Sequence, residues 1–249
     1  MNNLTKKILK TIGIVLCAIV LIPVLFILFL TLIEYKPKSE EKISINGNAT
    51  YLQAQLNQEF SVITWNVGYG ALGKTADYFM DGGTKVNTAD KKLVNTNIQN
   101  IASIIKEESP NLILLQEVDE KSTRSKKVNQ RKFFAENFKN FQETYAYNFK
   151  VLFVPYPIPP IGKVKAGIQT LSKYQISDSK RISLPCPFSW PLRIANLKRA
   201  LLVNRIKIQN SDKELVIVNL HLEAYDSGEG KIAQTKLLRD ILQKETEKG

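Results

Sequence analysis

The chain has 249 residues, of which 44% are hydrophobic and 23% charged, a balance that excludes wholesale disorder and leaves room for one large domain or two small ones. Its formal net charge of +12 favours polyanionic partners such as nucleic acid, phospholipid head groups or cell-wall polymers, without choosing among them. Two cysteines, Cys17 in an apolar run and Cys186 far from it, make neither a plausible internal disulfide nor a metal site.

Lys6, Lys7 and Lys10 precede a run from 11 to 33 that carries no charge. Crossing a bilayer as a helix takes about 20 apolar residues, and Pro23 is tolerated in such a span. The run exceeds the apolar region of a secretory signal, and no small-x-small cleavage site follows it. A single-pass, uncleaved signal anchor over 11–33 is therefore expected, in the cell membrane. Residues 1–10 are assigned to the cytoplasm and the remainder to its outside, although Lys36, Lys38 and Lys42 nearly balance the lysines before the span. Residues 34–59 are polar and contain Pro37 and Gly47, so a linker that spaces a domain over 60–249 from the membrane is expected.

Residues 60–67, FSVITWNV, are β-branched and aromatic and predict the first core strand. It delivers Asn66 to the flexible Gly68-Tyr69-Gly70, and Asp81-Gly82-Gly83 marks a further turn. Across 90–108 the apolar residues Leu93, Val94, Ile98, Ile101, Ile104 and Ile105 recur at helical spacing, and Ser109-Pro110 stops that helix. LILLQEVD, 112–119, then begins as a short strand buried on both faces and switches to Gln116, Glu117 and Asp119. A carboxylate at the exit of a buried strand lies where open α/β sheets place ligands. It offers the hard oxygens that Mg²⁺ prefers. Parallel pairing of the two strands through a crossover helix is economical, and the periodicity also admits an antiparallel arrangement.

Residues 121–132 form a basic surface segment whose Arg124 is the member placed to touch a phosphate. Residues 133–141 suggest a helix and 145–154 a strand; 154–167 is a Pro-rich loop excluded from any central strand. Four strand-like runs at 167–172, 175–184, 198–208 and 214–222 follow without helices between them, which suggests antiparallel pairing. A last amphipathic helix over 231–247 places Ile232, Leu237, Leu238, Ile241 and Leu242 inward.

WNVGYG at 65–70, LLQEVD at 114–119, GIQTLSKY at 167–174 and VNLHLEAY at 218–225, in that order, resemble the endonuclease/exonuclease/phosphatase superfamily with its deoxyribonuclease-I-like fold. DGG at 81–83, STRS at 122–125 and PFSWP at 187–191 resemble bacterial, membrane-anchored members. The resemblance implies an α/β four-layer sandwich of two packed mixed sheets flanked by helices. It also implies cleavage of phosphoester bonds dependent on Mg²⁺ (or Mn²⁺). By motif, Glu117 is the principal metal ligand, and Asn66 shapes the metal and phosphate site as metal and catalytic residue. His221 donates to a phosphate oxygen or serves as general acid. Arg124, Tyr69 and Asn219 are the candidate substrate contacts, with Tyr225 a further one; Ser172 and Lys173 form a structural turn. Without the motif context, Asn66 would be an ordinary turn residue and His221, the single histidine, a structural one.

Two family motifs, a GDxN strand end and a C-terminal SDH, do not occur after Leu222. The expectation is a C-terminally truncated domain whose second sheet is incomplete, with an unpaired edge, and whose hydrolysis is impaired by about 10²–10⁴-fold through loss of a general base. The leading reading is a membrane-anchored, metal-dependent phosphodiesterase acting on nucleic acid, slightly favoured, or on phospholipid. The alternative is a non-catalytic, membrane-tethered binding protein of the same fold.

Overall fold

The structure is a computed structural model and describes residues 2–47 and 51–247. In chain order its main elements are α1 (Asn3–Leu32), β1 (Glu40–Lys42), β2 (Val62–Asn66), α2 (Lys91–Glu108), β3 (Leu112–Asp119), α3 (Gln130–Asn137), β4 (Gln142–Val154), β5 (Gly162–Ser172), β6 (Ile176–Ser183), β7 (Ala200–Lys207), β8 (Glu214–Leu220) and α4 (Glu229–Glu247). The strands build two four-stranded sheets, ordered β2-β3-β5-β4 and β1-β6-β7-β8.

In the first sheet β2 and β3 are parallel, with Asn66 opposite Gln116, and α2 is the crossover between them. The Asp90 side chain caps α2 by accepting from Leu93 N at 2.7 Å. Its Val94, Ile98, Ile101, Ala102 and Ile105 are buried, and most of that stripe packs with α3 on Ile113, Leu115 and Val118 of β3. The second sheet is antiparallel throughout, not mixed. α4 covers its outer face through Leu237, Leu238 and Ile241 against Leu201, Val203, Val216 and Val218. Helix, sheet, sheet and helix are thus the four expected layers. Polar side chains pin the two sheets together: Thr144 Oγ1 donates to Asn204 Oδ1 at 2.9 Å, and Gln116 Nε2 to Asn219 Oδ1 at 2.8 Å.

Several sequence expectations are corrected. The strand at 60–67 is an edge, not a core strand: β2 pairs only with β3, and Val62 is 43% exposed. The outer edges of β2 and β8 have no strand partner among the described residues. The QEVD end of β3 does not leave the sheet, because Gln116 and Asp119 are buried with hydrogen-bond partners. The supposed loop over 154–167 is strand from Gly162 onward, in the centre of its sheet between β3 and β4. Prolines end at Pro160, so the following backbone donors are available to the ladder. In α4, Ile232 and Leu242 face solvent at 71% and 43% exposure, which leaves a narrower apolar stripe than the spacing suggested.

The stretch 34–59 is woven into the domain rather than spacing it from α1; its residues 48–50 lie outside the described residues. β1 pairs with β6, Asn46 exchanges backbone hydrogen bonds with Glu143, and Leu52 does so with the Lys173–Gln175 segment. The end of α1 is therefore held on the domain. Phe26 meets Phe153 edge-on at 5.9 Å, and Trp190 Nε1 donates to Thr31 Oγ1 at 3.1 Å. Just past the helix, the buried Glu34 carboxylate accepts from Arg193 Nε at 3.0 Å and lies 3.2 Å from Lys198 Nζ.

Burial alone would raise the Glu34 pKa, but hydrogen bonds from Arg193 and Lys198 outweigh it and hold the carboxyl below its ordinary value of 4.5. A depressed carboxylate contributes docking stability that is complete above the ordinary value and is lost as pH falls through the lowered one. In a Trp65→Phe background, Trp190 fluorescence should report undocking of α1 in that acid window. The same acid transition in Glu34→Gln would remove Glu34 as its cause.

Candidate active site

Glu117 is turned toward a cleft by a β-bulge. The β3–β5 register shifts between Leu115 and Val118, and Glu117 sits at φ 55°. A left-handed backbone at a non-glycine residue costs about 1–2 kcal/mol. Bulges of this kind re-aim a side chain beside a site. Gln116 and Val118 stay buried on either side, at 8% and 0% exposure, while Glu117 lines the cleft.

Asn66 ends β2 at the same sheet edge because the two strands are parallel and in register. Its Nδ2 donates to Glu117 Oε1 at 3.1 Å, and its Oδ1 accepts from Gly68 N at 3.0 Å. Both ends of the amide are engaged, so Asn66 orients the carboxylate. Gly68, Tyr69 and Gly70 all have positive φ (50°, 41° and 68°), and this tight turn carries Tyr69 into the protein, where it is 2% exposed. The Tyr69 ring is a platform for Arg124, whose guanidinium carbon lies 3.9 Å from the ring centroid.

Arg124 leaves the basic segment and turns inward. It forms a two-pronged pair with the fully buried Asp119, Nη2 to Oδ1 at 2.9 Å and Nε to Oδ2 at 3.2 Å. Asp119, read from sequence only as part of the strand exit, is thus the residue that fixes Arg124.

His221 follows β8 directly, and its Nε2 lies 3.8 Å from Glu117 Oε1. Its Nδ1 is buried without a hydrogen-bond partner among the described residues. Burial, then the neighbouring Arg199 charge, lowers its pKa below the ordinary 6.5, against an opposing pull from Glu117. That shift favours the neutral imidazole, whose Nε2 is the nitrogen turned toward Glu117.

Asn219 is not a cleft residue. It is 1% exposed, accepts from Gln116, and donates to Gln169 O at 3.0 Å and Leu115 O at 3.3 Å. A side chain so committed cannot reach a substrate; it fixes the strand that ends at His221. Tyr225 does line the cleft, where its hydroxyl donates to Asp81 Oδ1 at 3.2 Å. Burial and the Asp81 carboxylate push its pKa up to about 12.

Arg199 was not foreseen. It is 3% exposed, lines the cleft, and pairs through Nε with the buried Glu223 at 3.4 Å, while its Nη1 has no partner among the described residues. Its only sequence signal is a basic residue entering an apolar strand, which is common on any surface.

For a divalent cation, Glu117 offers a carboxylate and Asn66 the group that orients it. No cluster of three or more His, Cys, Asp or Glu occurs among the described residues. One carboxylate with retained waters is a donor set that suits Mg²⁺, which dehydrates reluctantly and is commonly held by one or two carboxylates.

Solved structures of similar fold include an endonuclease/exonuclease/phosphatase from Beutenbergia cavernae DSM 12333, at 19% identity and TM-score 0.48, covering 73% of this chain and 43% of that one. Truncated TDP2 from Caenorhabditis elegans gives 16% identity and TM-score 0.46, with coverages of 76% and 57%. The human Nocturnin catalytic domain with bound sulfate gives 15% and 0.48, with coverages of 82% and 62%. The chain therefore spans about half the length of these structures. No curated protein matches it in sequence. The model of the Endonuclease/Exonuclease/phosphatase family matches residues 63–242, a span that runs from β2 into α4 and takes in Asn66, Glu117, Arg124 and His221. On that match, the chain belongs to the endonuclease/exonuclease/phosphatase family.

Proposed function

We propose that this chain carries the site of a membrane-anchored, divalent-metal-dependent phosphoester hydrolase, with α1 as a single-pass anchor and residues 60–247 on the outer side of the membrane. The observation that carries the reading is the meeting of three chain-distant residues: Glu117 on its strained bulge and His221 line one cleft 3.8 Å apart, and Asn66 aligns Glu117 from beside it. Strain at a non-glycine residue persists where surrounding structure enforces it, and it gathers at functional sites. α1 supports the anchor, being long and apolar enough to cross a membrane while none of its most apolar window is buried in the protein.

In this reading Glu117, aligned by Asn66, would hold the cation, which would supply Lewis-acid stabilisation of the charge gathering on the phosphoryl oxygens. The neutral His221 donates a hydrogen bond through Nε2 to one of those oxygens, and Arg124 and Arg199 offer positive charge along the same wall. Water adds to phosphorus, the P–O ester bond breaks, and the departing oxygen takes up a proton. Nucleic acid and phospholipid both present such a bond.

The test is turnover of bis-p-nitrophenyl phosphate by the full chain in detergent, with Mg²⁺, with Mn²⁺, and after chelation. Metal-dependent release of nitrophenol is expected. Its absence with either metal, in protein shown to be folded, would leave the non-catalytic binding protein as the better reading.

A further inference from the structure

One cavity of ≈ 590 Å³ joins the candidate active site to α1. Glu117, Arg124 and Arg199 supply its charged groups, with His221 beside them, and most of the remaining wall is apolar or aromatic. Phe26, Ile27 and Leu30 of α1 line it together with Phe149, Val154 and Ile161 of the domain. We propose that this cleft admits a membrane lipid phosphoester, its hydrocarbon chain against α1 and its phosphate at Arg199 and His221. The proposal rests on the hydrolase and anchor reading above and names its substrate class.

Depth within the bilayer carries the argument. The charge-free run from 11 to 33 is about 34 Å long as a helix, at 1.5 Å per residue. The hydrocarbon core is about 30 Å thick, so little of the run is spare. Yet the domain packs on nearly its last half, from Pro23 to Thr31. Pro23 lies about 15 Å below Ile33 along the axis, close to the full depth of one leaflet. The domain wall facing α1 must then sit in the outer leaflet, where the cleft receives lipid laterally. The exposed apolar rim agrees: Tyr156, Ile158, Trp190 and Leu192 are 73%, 91%, 53% and 65% exposed, and Trp and Tyr favour the membrane interface.

The polar end asks for an anion. A buried guanidinium with an unpartnered nitrogen is costly, and an anion in the cleft that Arg199 lines compensates its charge. A polynucleotide fits the same walls poorly. Among the described residues the cleft's cations are Arg124 and Arg199, each already paired with a carboxylate, whereas strand binding needs a basic groove that tracks the backbone.

The experiment uses the full chain in phosphatidylcholine vesicles containing a minor fraction of phosphatidate with a photoreactive acyl chain, with a chelator present so that nothing turns over. Cross-links are expected on the cleft faces of residues 23–30 and 149–161. Unlabelled phosphatidate should compete with them and a single-stranded oligonucleotide should not. Arg199→Gln should weaken labelling about tenfold or more through loss of the positive charge that faces the phosphate end of the cleft. Ile27→Trp, on α1 and outside the domain core, should do the same by filling the cleft. Cross-links spread over the outer surface of α1, insensitive to Ile27→Trp, would overturn the proposal, as would displacement by the oligonucleotide. Because the readout needs no turnover, lipid capture without hydrolysis would refute the hydrolase and leave the lipid site standing. Hydrolysis without lipid capture would do the reverse.

Discussion

Glu117→Gln is expected to lower metal-dependent phosphoester hydrolysis by about 10²–10⁴-fold, the range over which a single group in direct contact with the chemistry is felt, while leaving the fold intact. Glutamine keeps the size of the side chain and an oxygen that accepts from Asn66 Nδ2, now 3.1 Å from the Glu117 carboxylate. What it removes is the negative charge that holds a cation. Glu117→Gly tests the same position from the other side. Glycine occupies φ 55° without the left-handed penalty, so this variant should be as inactive as the glutamine one. Its melting temperature should be unchanged or raised by up to about 4 °C. A residue kept at a strained angle for packing would give the opposite result, a clear loss of stability in Glu117→Gly. Retention of full metal-dependent turnover in Glu117→Gln would remove Glu117 from the site altogether.

The position of Glu117 was legible in sequence, but its conformation was not. An apolar run that turns polar marks a sheet edge, and the resemblance attached chemistry to Glu117, Asn66 and His221, which the fold brings together around the Glu117 carboxylate. The bulge that aims Glu117 is set by the pairing of β3 with β5, strands separated by α3 and β4, and no local pattern announces it. The same limit hid Arg199, whose partner Glu223 is 24 residues away, and Glu34, whose partner Arg193 is 159 residues away. Asn219 erred in the other direction. Two residues before a histidine in a motif, it suggested a substrate contact, yet alternation along β8 turns it between the sheets. The linker failed for a related reason: most of its polar side chains do face solvent, but its backbone pairs with β6 and β4.

The second large effect concerns stability. Asp119→Ala should destabilise the protein by about 3–5 kcal/mol, the cost of stripping a buried ion of its counter-ion. The reason lies in the surroundings of Arg124. Its guanidinium is stacked on Tyr69 at 3.9 Å and borders Phe149 at 5.8 Å, and its side chain is only 12% exposed. Asp119, with a side chain 0% exposed, supplies both matching oxygens. Without them the cation keeps its apolar neighbours and loses its compensation. Against a typical net stability of about 5–15 kcal/mol, that is about a fifth of the total or more, and the variant should melt far below the wild type. Asp119→Ala with Arg124→Met should recover most of the loss, because an uncharged side chain on the Tyr69 ring has no desolvation debt. Thermal or denaturant unfolding of all four proteins closes the cycle. Single variants that merely add would show that Asp119 and Arg124 stabilise the fold independently, and the pair would then be a geometric coincidence. Strong coupling would identify Asp119 as the anchor that holds a cationic side chain on the wall of the cleft.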